Sequence, residues 1–232
     1  MLERDGIPIA HIPRAEIVQL IVDAKDYEAR IQVIDDWADD IAADCFEALQ
    51  VELDQILEKQ APLAIRAIAA YQAGFFEGAQ ALAVSVCDTH LKKVFNRKSY
   101  KTMQADLALD KSDNMAVAAA FNYHYALTPA VPFLVPWFPG DGGDPPTKLS
   151  RHVTIHNAST DHVTPLNATI AIMLMTSMTL GINYAAVRAA RHQRTVGGGE
   201  SGDQSLLEPS KGGTGHPYNT GEADQGGDDD FA

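Results

Sequence analysis

Residues 151–156 combine side chains that can act together on a phosphate group. Arg151 precedes His156 by five positions, and His152 follows the arginine directly. A helix or helical turn would place the guanidinium and the imidazole about a turn and a half apart, near one face. Arginine matches phosphate oxygens with a planar fork of donors, and histidine can donate or accept a proton near neutral pH. Cleavage of RNA without a metal ion needs both functions, so Arg151, His152 and His156 are the candidate catalytic residues.

A second group of side chains could bind a nucleic-acid backbone. Five basic residues lie between positions 92 and 101: Lys92, Lys93, Arg97, Lys98 and Lys101. One interpretation is that they offset the macrodipole at the C-terminus of a helix. The other is a phosphate-binding patch that leads RNA to the catalytic residues. Tyr100 lies among them and could stack on a base.

Two patterns raise the question of a metal site. Residues 35–40 contain Asp-Asp-x-x-Asp, which is similar to the magnesium–diphosphate motif of isoprenoid synthases, but no second motif of that kind occurs. His152 and His156 are spaced to share a zinc ion, yet no third ligand is obvious. The acidic residues instead predict a solvated face of an amphipathic helix, with Asp36, Asp40, Asp44 and Glu47 opposite Ile34, Trp37, Ile41 and Cys45. We therefore predict neither a metal ion nor a cofactor.

Apolar residues recur at helical spacing along most of the chain, and no segment alternates as a half-buried strand does. The sequence therefore predicts an all-α helical bundle. Residues 1–60 would form N-terminal amphipathic helices, and residues 61–194 a helical domain. Pro62 fits the first turn of a helix, and Gly74 separates that helix from the next.

A long helix is predicted from the cap at Thr164-Pro165 to about Gln193. It carries no charge between His162 and Arg188, a length sufficient to span a bilayer. Several threonine, serine and asparagine residues dilute its apolar character, which favours a central helix buried inside the domain.

Residues 128–147 interrupt the helical pattern. Six prolines and three glycines occur between Thr128 and Pro146, a composition that predicts a long apolar loop without helix. Such loops are often functional or held by a partner. We expect this loop to pack on its own domain or on a dimer mate.

The composition bears on the C-terminal segment and on the cellular location of the protein. The chain has 232 residues and a net charge of −13, and residues 195–232 carry 8 acidic residues against 1 basic residue. This Gly-rich segment predicts a disordered acidic tail. The acidic total argues against a non-specific nucleic-acid coat protein but permits an enzyme with a local basic site. Cys45 and Cys87 lie in apolar helical patterns as small buried residues, and no signal peptide opens the chain, so we expect a cytoplasmic protein.

The motif and its surroundings resemble the HEPN superfamily. The shared pattern is an all-α domain with Arg-x4-His ahead of its last long helix, and it covers about residues 60–192. It includes residues 71–82, which look like the helix-turn-helix that precedes the motif in many bacterial relatives. Asn157 stands where many relatives have Gly, and Ala158 stands where a subset has a Tyr modified by a nucleotidyltransferase antitoxin. That form of regulation is therefore not implied.

The resemblance implies a metal-independent endoribonuclease, usually a homodimer with the motif at the dimer cleft. Arg151 would stabilise the scissile phosphate, and His156 would act as acid or base. RNA would be the substrate. The resemblance also implies a role as toxin or phage-defence effector, with an antitoxin or other protein as a candidate partner. Two alternatives stay open: a catalytically inactive module of the same fold that binds nucleotide, nucleic acid or protein, and a membrane-associated helical protein.

Overall fold

A computed structural model describes residues 1–96, 98–108, 124–141 and 143–197, and every regular element in these ranges is helical. The prediction of an all-α fold is confirmed. The α-helices are α1 Leu2–Asp5, α2 Ala15–Asp23, α3 Tyr27–Asp36, α4 Ala38–Ala48, α5 Ala61–Gln72, α6 Phe76–Val94, α7 Tyr100–Leu107, α8 Ala130–Phe133, α9 Arg151–His156 and α10 Pro165–Gly197. Turns of 3-10 helix lie at Gln55–Leu57 and Pro139–Asp141.

Helix boundaries follow local chemistry. The side chain of Asp26 caps α3 by accepting a hydrogen bond from the backbone N–H of Ala29 at 2.9 Å. Pro62 lies in the first turn of α5, as predicted. Gly74 adopts φ +81° just after α5, and its N–H bonds the carbonyl of Tyr71 at 2.8 Å. Because glycine tolerates this left-handed backbone, the chain reverses there and α5 packs along α6.

The long helix α10 forms the centre of the core. All residues from 167 to 183 are buried, and α10 packs against α3, α4, α5 and α6. It is long and apolar enough to cross a bilayer, yet 78% of its apolar 18-residue window is buried inside the protein. That burial is typical of a soluble core helix. The two cysteines are also buried and unpaired, as predicted.

The polar residues of α10 bond other segments to the core. Thr169 Oγ1 lies 2.7 Å from the hydroxyl of Tyr71 on α5. Asn183 Oδ1 accepts from the N–H of Asp54 at 2.7 Å, and Asn167 Nδ2 donates to the carbonyl of Thr147 at 3.0 Å. Breaking a buried hydrogen bond is costly, so these residues fix the segments that they reach.

The N-terminal acidic region differs from a single amphipathic helix. Trp37 lies between α3 and α4 and is 38% exposed, although the apolar stripe predicted it on the buried face. The change of direction at Trp37 separates the acidic residues onto two helices. Arg14 then binds Asp44 at 2.6 Å and Asp40 at 3.2 Å. These two carboxylates therefore hold α2 against α4.

Residues 128–147 pack on their own domain, but the prediction of a loop without helix is wrong. Thr128, Phe133 and Leu134 are buried, and α8 contacts α1 and α7. Pro132 is the third residue of α8. The first N–H groups of a helix have no partner within it, so proline removes no hydrogen bond at this position.

Helix α10 continues to Gly197, three residues into the predicted tail. The rest of that tail, residues 198–232, lies outside the described residues. The same holds for Arg97 of the basic cluster.

Candidate functional site

The segment 151–156 forms the short helix α9 between the proline-rich region and α10. Ser150 caps it by accepting from the N–H of Val153 at 3.3 Å. Val153 and Thr154 face the core, whereas Ile155 and His156 are exposed. The expectation of a helical turn over the motif is therefore confirmed.

A buried chain of hydrogen bonds holds α9 in place. His162 Nδ1 lies 3.0 Å from the carbonyl of Pro146, which can only accept, so Nδ1 carries the proton. His162 Nε2 then accepts from Thr154 Oγ1 at 3.2 Å. Thr154 Oγ1 in turn accepts from Gln80 Nε2 at 3.0 Å. The chain links α6, α9 and the loop before α10, and it fixes how α9 is oriented.

Arg151 points at α6 and α7. Its Nε donates to Asp88 Oδ1 at 2.6 Å, and both side chains are 13% exposed. Its guanidinium carbon lies 3.9 Å from the centroid of the Tyr100 ring, a cation–π distance. Tyr100 also donates its hydroxyl to Asp88 at 2.8 Å. Arg151 is thus held on two sides by the protein itself.

Asp88 is the anionic centre of this arrangement. Lys92 adds a third contact, with its Nζ 2.9 Å from Asp88 Oδ2. Burial raises the pKa of Asp88, but the hydrogen bonds from Lys92, Arg151 and Tyr100 together outweigh it and hold the pKa below its ordinary value. The same carboxylate raises the pKa of Lys92. Asp88 is therefore ionised at neutral pH.

His152 and His156 form a pair on the outer side of α9. Their ring centroids are 4.8 Å apart, and the ring of Phe138 meets His152 edge-on at 4.5 Å. Burial lowers the pKa of His152, and electrostatic interactions with His156 and Arg151 lower it further. His152 is therefore neutral at neutral pH, with a lone pair that can accept a proton.

The two residues of the motif leave α9 in different directions. Five positions correspond to about 140° around a helix, so the prediction that Arg151 and His156 lie near one face is wrong. Arg151 points at Asp88, and His156 is exposed beside His152. The side chains that the structure brings into contact are therefore those of His152 and His156.

An open cavity of about 300 Å³ lies beside α9. Its lining combines basic, polar, aromatic and apolar residues: Tyr100, Lys101, Gln104, Leu134, Pro136, Arg151 and His152. Among these residues, Lys101 is exposed. A phosphate or a nucleotide matches this combination of cationic donors, imidazole and ring faces.

The predicted basic cluster divides between two faces. Lys92 and Lys101 lie at the Arg151 side, and Lys98 binds Asp106 at 3.0 Å. Lys93 instead bonds Gln60 Oε1 at 2.6 Å, away from α9. These basic residues are close in sequence, but they do not form one continuous patch, because neighbouring positions on a helix point in different directions.

Position 157 permits a residue other than glycine. Asn157 follows α9 with φ −142°, a negative value that L-residues readily adopt. A residue other than glycine at this position therefore imposes no backbone strain.

The structure also bears on the metal patterns. Among the residues that it describes, no three His, Cys, Asp or Glu side chains converge as a metal site would require. His152 and His156 contact each other without a third ligand of these types in that part of the chain.

Sequence reasoning missed Asp88 and Phe138 as members of this site. Asp88 and Lys92 are spaced i, i+4 on a helix, which indicates a local ion pair but not a partner on α9. Phe138 lies in the proline-rich region, where spacing gives no direction for a side chain.

No protein-family model, curated protein or solved structure matches this chain.

Proposed function

We propose that this protein is a metal-independent endoribonuclease that uses the 2′-hydroxyl of RNA as its nucleophile. The observation that carries the proposal is a pair of imidazoles with ring centroids 4.8 Å apart, one of which, His152, lines a cavity with cationic side chains. Two adjacent imidazoles can divide the roles of base and acid. The resemblance of the Arg-x4-His segment to the HEPN superfamily supports the same assignment.

His152 would accept the proton of the 2′-hydroxyl, because its lowered pKa keeps it neutral. The 2′-oxygen then bonds to phosphorus while the bond from phosphorus to the 5′-oxygen breaks. His156 would protonate that leaving oxygen. Lys101 and Arg151, which both line the cavity, would stabilise the additional negative charge. The products are a 2′,3′-cyclic phosphate and a 5′-hydroxyl.

We extend the proposal to a cytoplasmic homodimer. Two copies of α9 facing across a two-fold axis would place two His152–His156 pairs on one RNA. Phe138 is 49% exposed and Ile155 is 43% exposed, so α9 and its neighbouring loop offer apolar surface for such a contact. A toxin or defence role, neutralised by another protein, follows from the resemblance.

The test is cleavage of a mixed RNA pool by the full chain, with and without EDTA, followed by analysis of the product ends. We expect cleavage to survive EDTA and to leave cyclic phosphates. His156→Ala should lower the rate by about 100-fold or more, the usual contribution of a positioned acid or base. His192→Ala, an exposed histidine on α10, is the matched control and should leave the rate unchanged. Wild-type cleavage by His156→Ala would refute the proposal.

A second candidate function is RNA binding without cleavage. The observation that favours it is the position of Arg151, whose guanidinium already binds Asp88 and stacks on Tyr100. An arginine held in this way contributes to the positive electrostatic potential of the cavity more readily than it contacts a phosphate directly.

This alternative predicts that the protein binds RNA but does not cleave it. Lys101→Gln should weaken binding of fluorescent single-stranded RNA and reduce its salt dependence by about one ion. Lys59→Gln, another exposed lysine, should have little effect. Binding that depends on Lys101 in a protein that cleaves no RNA would favour this second function, and cleavage would exclude it.

A further inference from the structure

A second cavity lies on another face of α6, away from α9. It has a volume of about 200 Å³ and is lined by the 3-10 turn Gln55–Leu57, the C-terminal part of α6 and α10. Its apolar walls are Ile56, Leu57, Val94, Ile182, Ala185 and Ala186. Its polar members are His90 and Lys93. Positions 88 and 90 are about 200° apart on a helix, so His90 faces away from the side of α6 that binds Arg151.

The tautomer of His90 follows from its hydrogen bonds. Thr179 Oγ1 donates its only proton to the carbonyl of Met175, at 2.7 Å. It must therefore accept from His90 Nε2, which lies 3.0 Å away. The proton of the neutral imidazole is thus on Nε2, and Nδ1 carries a lone pair.

His90 Nδ1 is a buried acceptor that needs a donor. The residue is 1% exposed, and Nδ1 has no hydrogen-bond partner among the described residues. Burial and, to a smaller extent, the charge of Lys93 together lower the pKa of His90 to about 4, so the ring is neutral at neutral pH. A buried polar atom of this kind is stabilised when a ligand supplies the missing partner.

Lys93 limits what the ligand can be. Its Nζ donates to Gln60 Oε1 at 2.6 Å and to the carbonyl of Ile56 at 3.3 Å, which fixes the ammonium at the cavity. A fixed positive charge repels cations and attracts the face of an aromatic ring. A carboxylate would bind Lys93 but would offer no proton to His90 Nδ1.

We propose that this cavity binds a small neutral aromatic compound with one ring N–H or O–H group, of the size of indole or phenol. The N–H or O–H group donates to His90 Nδ1, and the ring packs between Leu57 and Ile182 beside Lys93. The site is separate from the proposed RNA site and does not depend on it.

The experiment compares indole with 1-methylindole, using ligand-observed NMR and calorimetry on the full chain. The two compounds share the same ring system, but only indole can donate to His90 Nδ1. We expect saturable binding of indole, and binding of 1-methylindole at least tenfold weaker, which corresponds to about 1.4 kcal/mol. No saturable binding of indole, or equal affinity for the two compounds, would overturn the proposal.

Two variants separate binding from folding. His90→Phe removes the acceptor, and Ala186→Phe fills the cavity from a half-buried position that leaves the core of α10 unchanged. Both should abolish indole binding. Ala189→Phe places the same side chain on an exposed part of α10 and is the control that should retain it. Unchanged affinity in Ala186→Phe would show that indole binds elsewhere and would refute the site.

Discussion

Asp88→Asn is the substitution that tests the arrangement around Arg151 most directly. Asparagine has nearly the shape of aspartate and keeps one oxygen as an acceptor, but it removes the negative charge. Arg151 would then be 13% exposed and positively charged without its anion, and Lys92 would lose its partner at 2.9 Å. The change therefore isolates the charge of Asp88 from its packing.

The expected loss of stability is about 2 kcal/mol. Removing one partner of a fully buried ion pair costs roughly 3–5 kcal/mol. Here the carboxylate keeps 13% of its surface in water and Lys92 is 47% exposed, so solvent recovers part of that cost. For a chain of this size the loss corresponds to a Tm about 4–8 °C lower. Urea unfolding at pH 7 measures the difference in free energy of unfolding.

The pH dependence has a defined sign. The pKa of Asp88 is lower in the folded protein than in the unfolded chain, where it is about 4. Its stabilisation is therefore present above about pH 4 and is lost as the pH falls through the folded value. The difference between Asp88→Asn and the native protein should be largest at pH 7 and should shrink toward pH 3.

Two comparisons make the result decisive. Arg151→Met removes the other member of the pair, and the double variant should lose less than the sum of the two single losses. Asp106→Asn is the control, since its ion pair with Lys98 is exposed and should contribute less than about 1 kcal/mol. Additive losses, or a loss at pH 3 equal to that at pH 7, would refute the ion-pair explanation.

Three further predictions concern the fold. His162→Phe removes both hydrogen bonds of a buried imidazole and should lower stability by about 2 kcal/mol in urea unfolding, and a loss below about 0.5 kcal/mol would contradict the network. Gly6→Ala should destabilise the folded protein by about 1–3 kcal/mol, because Gly6 has φ +70° and a Cβ there would lie 2.8 Å from Pro132 Cγ. An unchanged Tm would argue against this packing. Cys45 and Cys87 should react with a thiol reagent only after denaturation, because burial raises the pKa of Cys45 to about 12 and also raises the pKa of Cys87. Rapid labelling of the native protein would contradict this prediction, since it would show that the thiols are accessible.

The position of Arg151 also shapes the functional proposal. An arginine that binds Asp88 and stacks on Tyr100 leaves the proton transfers to His152 and His156. In the nuclease proposal, Arg151→Ala should then reduce RNA cleavage partly through the position of α9, whereas His156→Ala should act on the chemical step alone. Comparing the Tm and the cleavage rate of the two variants separates these effects.

The sequence by itself determined the helical character of the chain and several of its boundaries. Apolar spacing, Pro62 and Gly74 act within one or two turns, so their consequences can be predicted without knowing any other segment. The burial of α10 was predictable for the same reason, since its length and lack of charge leave few positions suited to water. The motif of α9 was also predictable as a helical turn.

Only the tertiary structure decided what each candidate side chain contacts. Arg151 meets Asp88 across 63 positions of sequence, and His90 meets Thr179 across 89. Local periodicity fixes the direction of a side chain relative to its own helix, but its partner depends on how separate helices pack. For that reason the cavity at Lys101 and the cavity at His90 had no counterpart in the sequence, although α6, α9 and α10, which contribute to them, were predictable alone.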